Sequence, residues 1–202
     1  DPATLTIDEV VTDDALTAIE RLRAQERVAA DDVVLVGHSL GGRLAPRIAA
    51  RDGDLAGVVM LAPLARSISQ ALLDQNQYLA ELDGEVTAVE QQQLDRLREQ
   101  VERIRDLDIP EGETLLFGGR PYWRTLQEYD HLDTAASLSL PRLIVQGERD
   151  WQVTVEDDLA MWRDAIGDQE TVDIRTYDAL NHLLMPGEGQ PTQLEHYQQH
   201  HV

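Results

Sequence analysis

The sequence predicts an α/β protein in which helices flank a mostly parallel sheet. Three short apolar runs, at residues 33–36, 57–61 and 142–146, support this prediction. A continuous apolar run of this length is typical of a strand that is buried on both faces, as parallel strands usually are. The stretches between the runs show helical spacing instead, so strands and helices are expected to alternate along the chain.

A helix is expected before the first strand. Thr12 is the predicted N-cap, and Asp13 and Asp14 follow it in the first turn, where acidic side chains are favourable. Ala15, Ile19 and Leu22 then recur at helical spacing up to about residue 27. The first strand follows, and residues 39–51 form the next predicted helix.

The last third of the chain predicts one further helix and an edge strand. Thr154 and Asp157 form a predicted capping box. The buried stripe of the helix that follows comprises Leu159, Trp162 and Ile166. Residues 171–177 alternate between apolar and polar side chains, which is typical of a strand that is covered on one face only.

Between the second and third strands lie about eighty residues with helical periodicity and no convincing strand. A structureless loop of this length is uncommon in a compact domain. We therefore expect residues 63–140 to form a helical cap, and residues 1–62 and 141–202 to form the α/β core. An amphipathic helix is predicted within the cap from the spacing of Leu94, Leu97, Val101, Ile104 and Leu107.

Acidic residues dominate the composition, with 38 Asp and Glu against 17 Lys and Arg and a formal net charge of -21. Such a surface repels nucleic acid and anionic membranes, so neither is an expected partner. Lysine is absent, and the acids are spread along the chain. A dense carboxylate shell suits a salt-rich cytoplasm, where salt screens its self-repulsion. We therefore expect a cytoplasmic protein from a halophilic source; a GC-rich genome would explain the missing lysine but not the excess of acids.

Three further absences limit the chemistry that the sequence predicts. Cysteine is absent, so covalent catalysis would need another nucleophile. No metal is expected, because neither an H-E-x-x-H motif nor a cluster of His and carboxylate residues occurs. No apolar stretch approaches about 18 residues, so a membrane span is not expected.

A nucleophile elbow is predicted at the end of the first strand. Gly37, Ser39 and Gly41 form a G-x-S-x-G motif between an apolar strand and a helix, which is the context that this motif requires. The tight turn would present the Ser39 hydroxyl above the sheet edge, with glycine on both sides leaving room for the crossing chain. The amide of Leu40, at the start of the helix, is the expected oxyanion donor.

For a serine hydroxyl to act as a nucleophile, a base must take its proton and an acid must orient that base. In folds with a nucleophile elbow, the acid follows the serine in the sequence and the histidine follows the acid. Asp150 lies just past the carboxyl end of the third strand, where catalytic groups gather in open parallel sheets, and is the predicted acid. Its rivals are Glu148, Asp157 and Asp158.

His182 follows the fourth strand on a loop and is the predicted base. Its rivals are His38, inside the elbow, and His131, in the cap. Three more histidines lie in the polar tail: His196, His200 and His201.

Three segments together resemble the α/β-hydrolase superfamily, and more closely the prokaryotic carboxylesterases with a helical cap. They read VGHSLGGRLAPRIA at 36–49, QGERDWQV at 146–153 and LNHLLMPGEG at 180–189. The resemblance implies an α/β-hydrolase fold, a small ester substrate and no cofactor. Five residues are the expected substrate contacts: His38, Tyr78, Tyr122, Trp123 and Trp151.

The order of elements departs from the family pattern. Members normally carry about four strands and a glycine-rich oxyanion loop before the elbow, whereas one predicted helix precedes it here. The resemblance thus implies that the N-terminal strands of the fold and a final helix lie outside these residues. The strand from Val33 to Val36 would then lack its inner neighbour, and its unpaired backbone would favour self-association.

These observations predict a serine esterase that works through an acyl-enzyme intermediate. An acyltransferase, a thioesterase or a peptidase would use the same triad. From a different class, a catalytically silent module that binds ligands or assembles with other chains would keep the fold without turnover.

Overall fold

The computed structural model describes residues 1–191 and contains one four-stranded sheet. Its strands are β1 (Val34–His38), β2 (Gly57–Leu61), β3 (Arg142–Gly147) and β4 (Val172–Tyr177), in the spatial order β1-β2-β3-β4. All three neighbouring pairs are parallel, with Val36 opposite Val59 and Ile144 opposite Ile174. The predicted α/β fold with a parallel sheet is confirmed.

Helices α1 (Asp13–Arg23), α2 (Leu40–Asp52) and α7 (Ala160–Ile166) belong to the α/β core. The buried faces of the sheet and helices form one apolar cluster, which includes Ala45, Met60, Ile144 and Trp162. The β4 side chains alternate between half-buried and exposed, as expected for an edge strand. Within residues 1–191, no helix is both long enough and apolar enough to span a membrane.

The prediction that Thr12 caps α1 is wrong. The chain is already helical at Asp8–Thr12, which forms a π-helical turn, and Thr12 itself has helical φ and ψ angles of -68° and -45°. Its side chain is buried, and its hydroxyl donates to the Ile7 carbonyl. The preceding turn is held by Asp8, which pairs with Arg47 and Arg51 of α2. These contacts between distant segments extend the helix toward its N-terminus.

At the second predicted cap, the side chain of Thr154 accepts a hydrogen bond from the Asp157 amide at 3.0 Å. The return bond of a capping box is absent, because the Thr154 amide donates to Asp158 instead. A π-helical turn, Val155–Leu159, then leads into α7. The Thr154 hydroxyl therefore caps this turn, but Asp158 and not Asp157 accepts from the Thr154 amide, so the prediction of a complete capping box was wrong.

Four helices lie between β2 and β3: α3 (Ile68–Glu81), α4 (Ala88–Arg105), α5 (Arg120–Glu128) and α6 (His131–Ser137). The predicted amphipathic helix corresponds to α4, which begins with a complete capping box between Thr87 and Glu90. A second apolar cluster joins α3, α4 and α5 to Leu44 of α2. Helix α6 packs differently, because Ala135 lies in the same cluster as the sheet.

Candidate active site

Ser39 lies in a strained turn between β1 and α2. Its φ angle of 55° and ψ angle of -117° lie outside the regions that residues with side chains normally adopt. The turn is held by three backbone hydrogen bonds: the Ser39 amide donates to the Leu61 carbonyl, and the Ser39 carbonyl accepts from the amides of Arg43 and Leu64. The surrounding structure therefore fixes the backbone conformation that a nucleophile elbow requires.

Glycine is required at only one of the two predicted flanking positions. A Cβ at Gly37 would lie 2.3 Å from the Gly41 carbonyl oxygen, so no side chain fits there. A Cβ at Gly41 would meet nothing within 4 Å. The second close approach is at Gly42, where a Cβ would lie 3.0 Å from Pro63 of the chain that crosses the helix.

Asp150 follows β3 and is one of the most completely bonded carboxylates in the described residues. Its Oδ1 accepts from the backbone amides of Gln152 and Val153, both at 2.9 Å. Its Oδ2 accepts from the Gln146 side-chain amide at 3.0 Å and lies 2.8 Å from His182 Nδ1. The side chain is fully buried. Four donors therefore hold the carboxylate in one orientation.

His182 is held on a loop that folds back from β4 over the end of β3. The buried Asn181 side chain accepts hydrogen bonds from the amides of Leu183 and Met185, which closes the loop. A Cβ at Gly147 would lie 2.1 Å from the Leu180 carbonyl oxygen, so glycine is needed for this close packing. His182 is 5% exposed. With Nδ1–H donated to Asp150, its Nε2 keeps a free lone pair.

His38 joins the elbow to the His182 loop. Its Nε2–H donates to the His182 carbonyl at 2.8 Å, and the two rings lie 4.6 Å apart between centroids. Burial lowers the pKa of His38, so the ring is neutral at neutral pH. Within residues 1–191 no hydrogen bond involves the Ser39 hydroxyl; catalytic hydrogen bonds often shorten only when substrate binds.

The rival acids have other environments. Glu148 is exposed. The Asp157 side chain accepts from the Thr154 hydroxyl and pairs with Arg66, while Asp158 accepts from the Ala65 and Arg66 amides. None of the three has a recorded contact with His182.

Among the rival histidines, His131 lies beside Arg43, and burial followed by the Arg43 charge lowers its pKa to about 3. His196, His200 and His201 lie outside the described residues.

The five expected substrate contacts separate into two groups. His38 lies at the elbow, and Tyr78 stacks on Trp151 beside Asp150, with 5.1 Å between ring centroids. These two rings line a cavity of about 310 Å³ that also includes Asp150. Tyr122 and Trp123 instead lie in the apolar cluster of α3, α4 and α5 and are 4% and 1% exposed, so they pack between these helices.

Two residues that hold Asp150 and His182 in place were not predicted from the sequence. Gln146 donates to Asp150 and also to the Val153 carbonyl, which fixes the turn that carries the acid. Asn181 fixes the loop that carries the histidine. Each is a polar residue within a segment that carries the family resemblance: Gln146 lies near the end of the apolar strand β3, and Asn181 directly precedes His182. These positions were the available signal.

In residues 1–191, no group of three or more His, Asp or Glu side chains is arranged to hold a metal ion.

Comparisons with known proteins agree with this geometry. A family model described as the alpha/beta hydrolase family matches residues 1–196. Esterase EstD of Thermotoga maritima is 38% identical over 202 residues, which cover 100% of this chain and 47% of that protein. The chain therefore spans about half the length of this curated relative.

Solved structures share the fold at low sequence identity. Est1E of Butyrivibrio proteoclasticus with bound ferulic acid superposes with a TM-score of 0.56 at 19% identity, over 90% of this chain and 63% of that one. The Pyrococcus furiosus esterase Pf2001 gives 0.54 at 15% identity, over 88% and 56%. The elbow between β1 and α2, the parallel sheet and the match over nearly the whole sequence lead to one conclusion: this chain belongs to the alpha/beta hydrolase family.

Proposed function

We propose that the chain hydrolyses carboxylic esters through Ser39, His182 and Asp150. The observation that carries the proposal is the buried 2.8 Å hydrogen bond between His182 Nδ1 and Asp150 Oδ2, next to the strained elbow. This bond selects the tautomer whose Nε2 can accept a proton from Ser39. The similarity to esterase EstD of Thermotoga maritima supports the choice of an ester as substrate.

In the proposed reaction, the Ser39 Oγ attacks the ester carbonyl carbon while His182 Nε2 takes the hydroxyl proton. The carbonyl oxygen becomes an oxyanion, and the Leu40 amide at the N-terminus of α2 donates a hydrogen bond to it. When the C–O bond to the alcohol breaks, His182 returns the proton to the leaving oxygen. Water, deprotonated by the same nitrogen, then cleaves the acyl-enzyme.

The substrate is proposed to lie between the elbow and residues 63–140. Tyr78 of α3 and Trp151, next to Asp150, form a stacked aromatic wall on this side. An aromatic wall favours an apolar acyl or alcohol group. In this proposal helices α3–α5 act as the cap that selects the substrate, while α6 supports the sheet.

Labelling by a fluorophosphonate tests the nucleophile directly, because this probe phosphonylates only an activated serine. We expect labelling of the unaltered chain and none of Ser39→Ala, with Ser69→Ala as a matched control that keeps its label. Hydrolysis of 4-nitrophenyl butyrate with and without added alcohol then separates an esterase from an acyltransferase. Unlabelled but folded protein would contradict the proposal and favour a silent binding module.

We also propose that the chain self-associates through β1. Within residues 1–191 this strand pairs with β2 alone, and Val34 and Val36 are 49% and 59% exposed. An open edge with apolar side chains favours pairing with a second copy. Val36→Lys should shift the protein toward monomer in light scattering, whereas an unchanged mass would refute this contact.

A further inference from the structure

Arg43 is a buried cation with no carboxylate in contact. It is 7% exposed, and its Nη1 donates to the carbonyls of Ala65 and Arg66 and to His131 Nε2. None of the ion pairs recorded for residues 1–191 includes Arg43. Buried charges are normally paired, and 38 acidic residues were available in this chain.

The groups that contact Arg43 carry no negative charge to compensate its positive charge. His131 stays neutral because burial and the Arg43 charge lower its pKa to about 3, so it offers a lone pair and no negative charge. Among the carboxylates, Asp158 acts most strongly on Arg43 electrostatically. Both of its oxygens, however, accept hydrogen bonds elsewhere, from Ala65, Arg66 and Thr154.

A cavity of about 190 Å³ opens beside this cation. Four of its eight lining residues are polar: Arg43, Ser67, Ser69 and Gln127. The Nε of Arg43 is buried and has no hydrogen-bond partner in the described part of the chain. Ser67 and Gln127 are exposed, so they form the mouth. Arg43 thus lines a solvent-accessible cavity, and its own charge is not fully satisfied by the groups around it.

The remaining wall is apolar and consists of Ile68, Ile104, Trp123 and Leu126. Trp123 and Ile104 are each 1% exposed and close the inner end. An inorganic anion such as chloride would match the charge but would leave this wall unused. A small organic anion matches both halves, because its charged end can reach Arg43 while its apolar part contacts the wall.

We propose that this Arg43 cavity binds a short-chain carboxylate. The carboxylate would accept from the guanidinium group of Arg43 and from the Ser69 hydroxyl, and the alkyl chain would lie against Trp123 and Ile104. The site is separate from the candidate triad, although Arg43 is one helical turn after Ser39 and its amide donates to the Ser39 carbonyl at 3.1 Å. It does not depend on whether the chain hydrolyses esters.

Calorimetric titration with sodium butyrate, with sodium chloride at matched ionic strength as reference, tests the proposal. Binding of butyrate beyond chloride is expected, with at least about tenfold weaker affinity in Arg43→Gln, because the variant loses the positive charge and a hydrogen bond to the carboxylate. Arg47→Gln is the matched control, because Arg47 lies one turn later on α2, pairs with the half-buried Asp8 and does not line the cavity. Its affinity should stay unchanged.

Two further variants keep the test decisive. Gln127→Trp narrows the mouth at an exposed position and should weaken butyrate binding even if Arg43→Gln does not fold. His182→Ala should leave binding unchanged, which separates this cavity from the candidate triad. Three results would each overturn the proposal. They are equal binding of butyrate and chloride, loss of butyrate binding in His182→Ala, and full affinity for butyrate in folded Arg43→Gln or in Gln127→Trp.

Discussion

Replacing Asp150 with asparagine should invert the tautomer of His182. Two backbone amides, from Gln152 and Val153, point at Oδ1, so the single oxygen of an asparagine must occupy that position. Its NH₂ group then takes the place of Oδ2, which lies 2.8 Å from His182 Nδ1. An NH₂ group can only donate there, so Nδ1 must accept and the ring proton moves to Nε2.

The protonated Nε2 cannot accept the Ser39 proton. Loss of the correct tautomer in a serine triad lowers kcat by about 10⁴, or roughly 5 kcal/mol of transition-state stabilisation. The new NH₂ group would also face the Gln146 side-chain amide, now 3.0 Å from Oδ2, and two donors in contact destabilise the turn. The Gln146 amide can rotate to present its buried Oε1, which has no partner among residues 1–191, at the expense of its bond to Val153.

Hydrolysis of 4-nitrophenyl butyrate measures the effect, and the ¹⁵N chemical shifts of His182 report the tautomer. Glu148→Gln is the matched control, because Glu148 lies in the same turn but is exposed. Its activity should stay within about twofold of the unaltered chain, since surface substitutions have small effects. Folded Asp150→Asn protein with less than tenfold loss, or with Nδ1 still protonated, would refute this reasoning.

Three other predictions concern stability. Gly37→Ala should lower the free energy of unfolding by more than about 2 kcal/mol in urea titrations, because its Cβ would lie 2.3 Å from a carbonyl oxygen. Gly41→Ala is the control and should leave the free energy of unfolding nearly unchanged. Equal effects of the two substitutions would contradict the elbow geometry. Since burial holds the pKa of His131 at about 3 against an ordinary 6.5, only the unfolded state gains a proton between these values, so stability should fall as pH drops from about 6.5. His131→Gln should flatten that slope, and an unchanged slope would exclude His131 as its source. The net charge is -21, and salt screens the repulsion between the acidic side chains. The melting temperature should therefore rise between 0.1 M and 1 M NaCl, as the Debye length falls from about 10 to 3 Å. An unchanged melting temperature would contradict the expectation of a halophilic protein.

Local patterns were sufficient to predict the sheet and the elbow. The three apolar runs predicted the ends of β1, β2 and β3 to within two residues, because burial on both faces requires such runs whatever the partners are. The position of Asp150 could be predicted because it lies just past β3, and the carboxyl ends of parallel strands lie at one edge of the sheet. These features depend on residues close together in the sequence.

Features that depend on distant contacts could not be predicted in this way. Thr12 reads as a helix cap locally, but the pairing of Asp8 with α2 extends the helix beyond it. Gly42 is favoured because Pro63, two residues after β2, would lie 3.0 Å from a Cβ at that position. The aromatic residues of the cap gave no signal to separate Trp123, in the apolar cluster, from Tyr78, in the cavity beside Asp150.

The sheet order makes the His182 loop the critical element of the proposed triad. Ser39 follows β1 and Asp150 follows β3, so the strand β2 lies between them, and neighbouring strands are about 4.8 Å apart. The elbow and the acid are therefore separated by about 10 Å at the sheet edge, which no direct contact spans. In the proposed triad, His182 bridges them from a loop that folds back from β4. The contacts of Asn181 and Gly147 that hold this loop should therefore affect catalysis as strongly as the acid does, although neither residue touches the substrate in the proposed reaction.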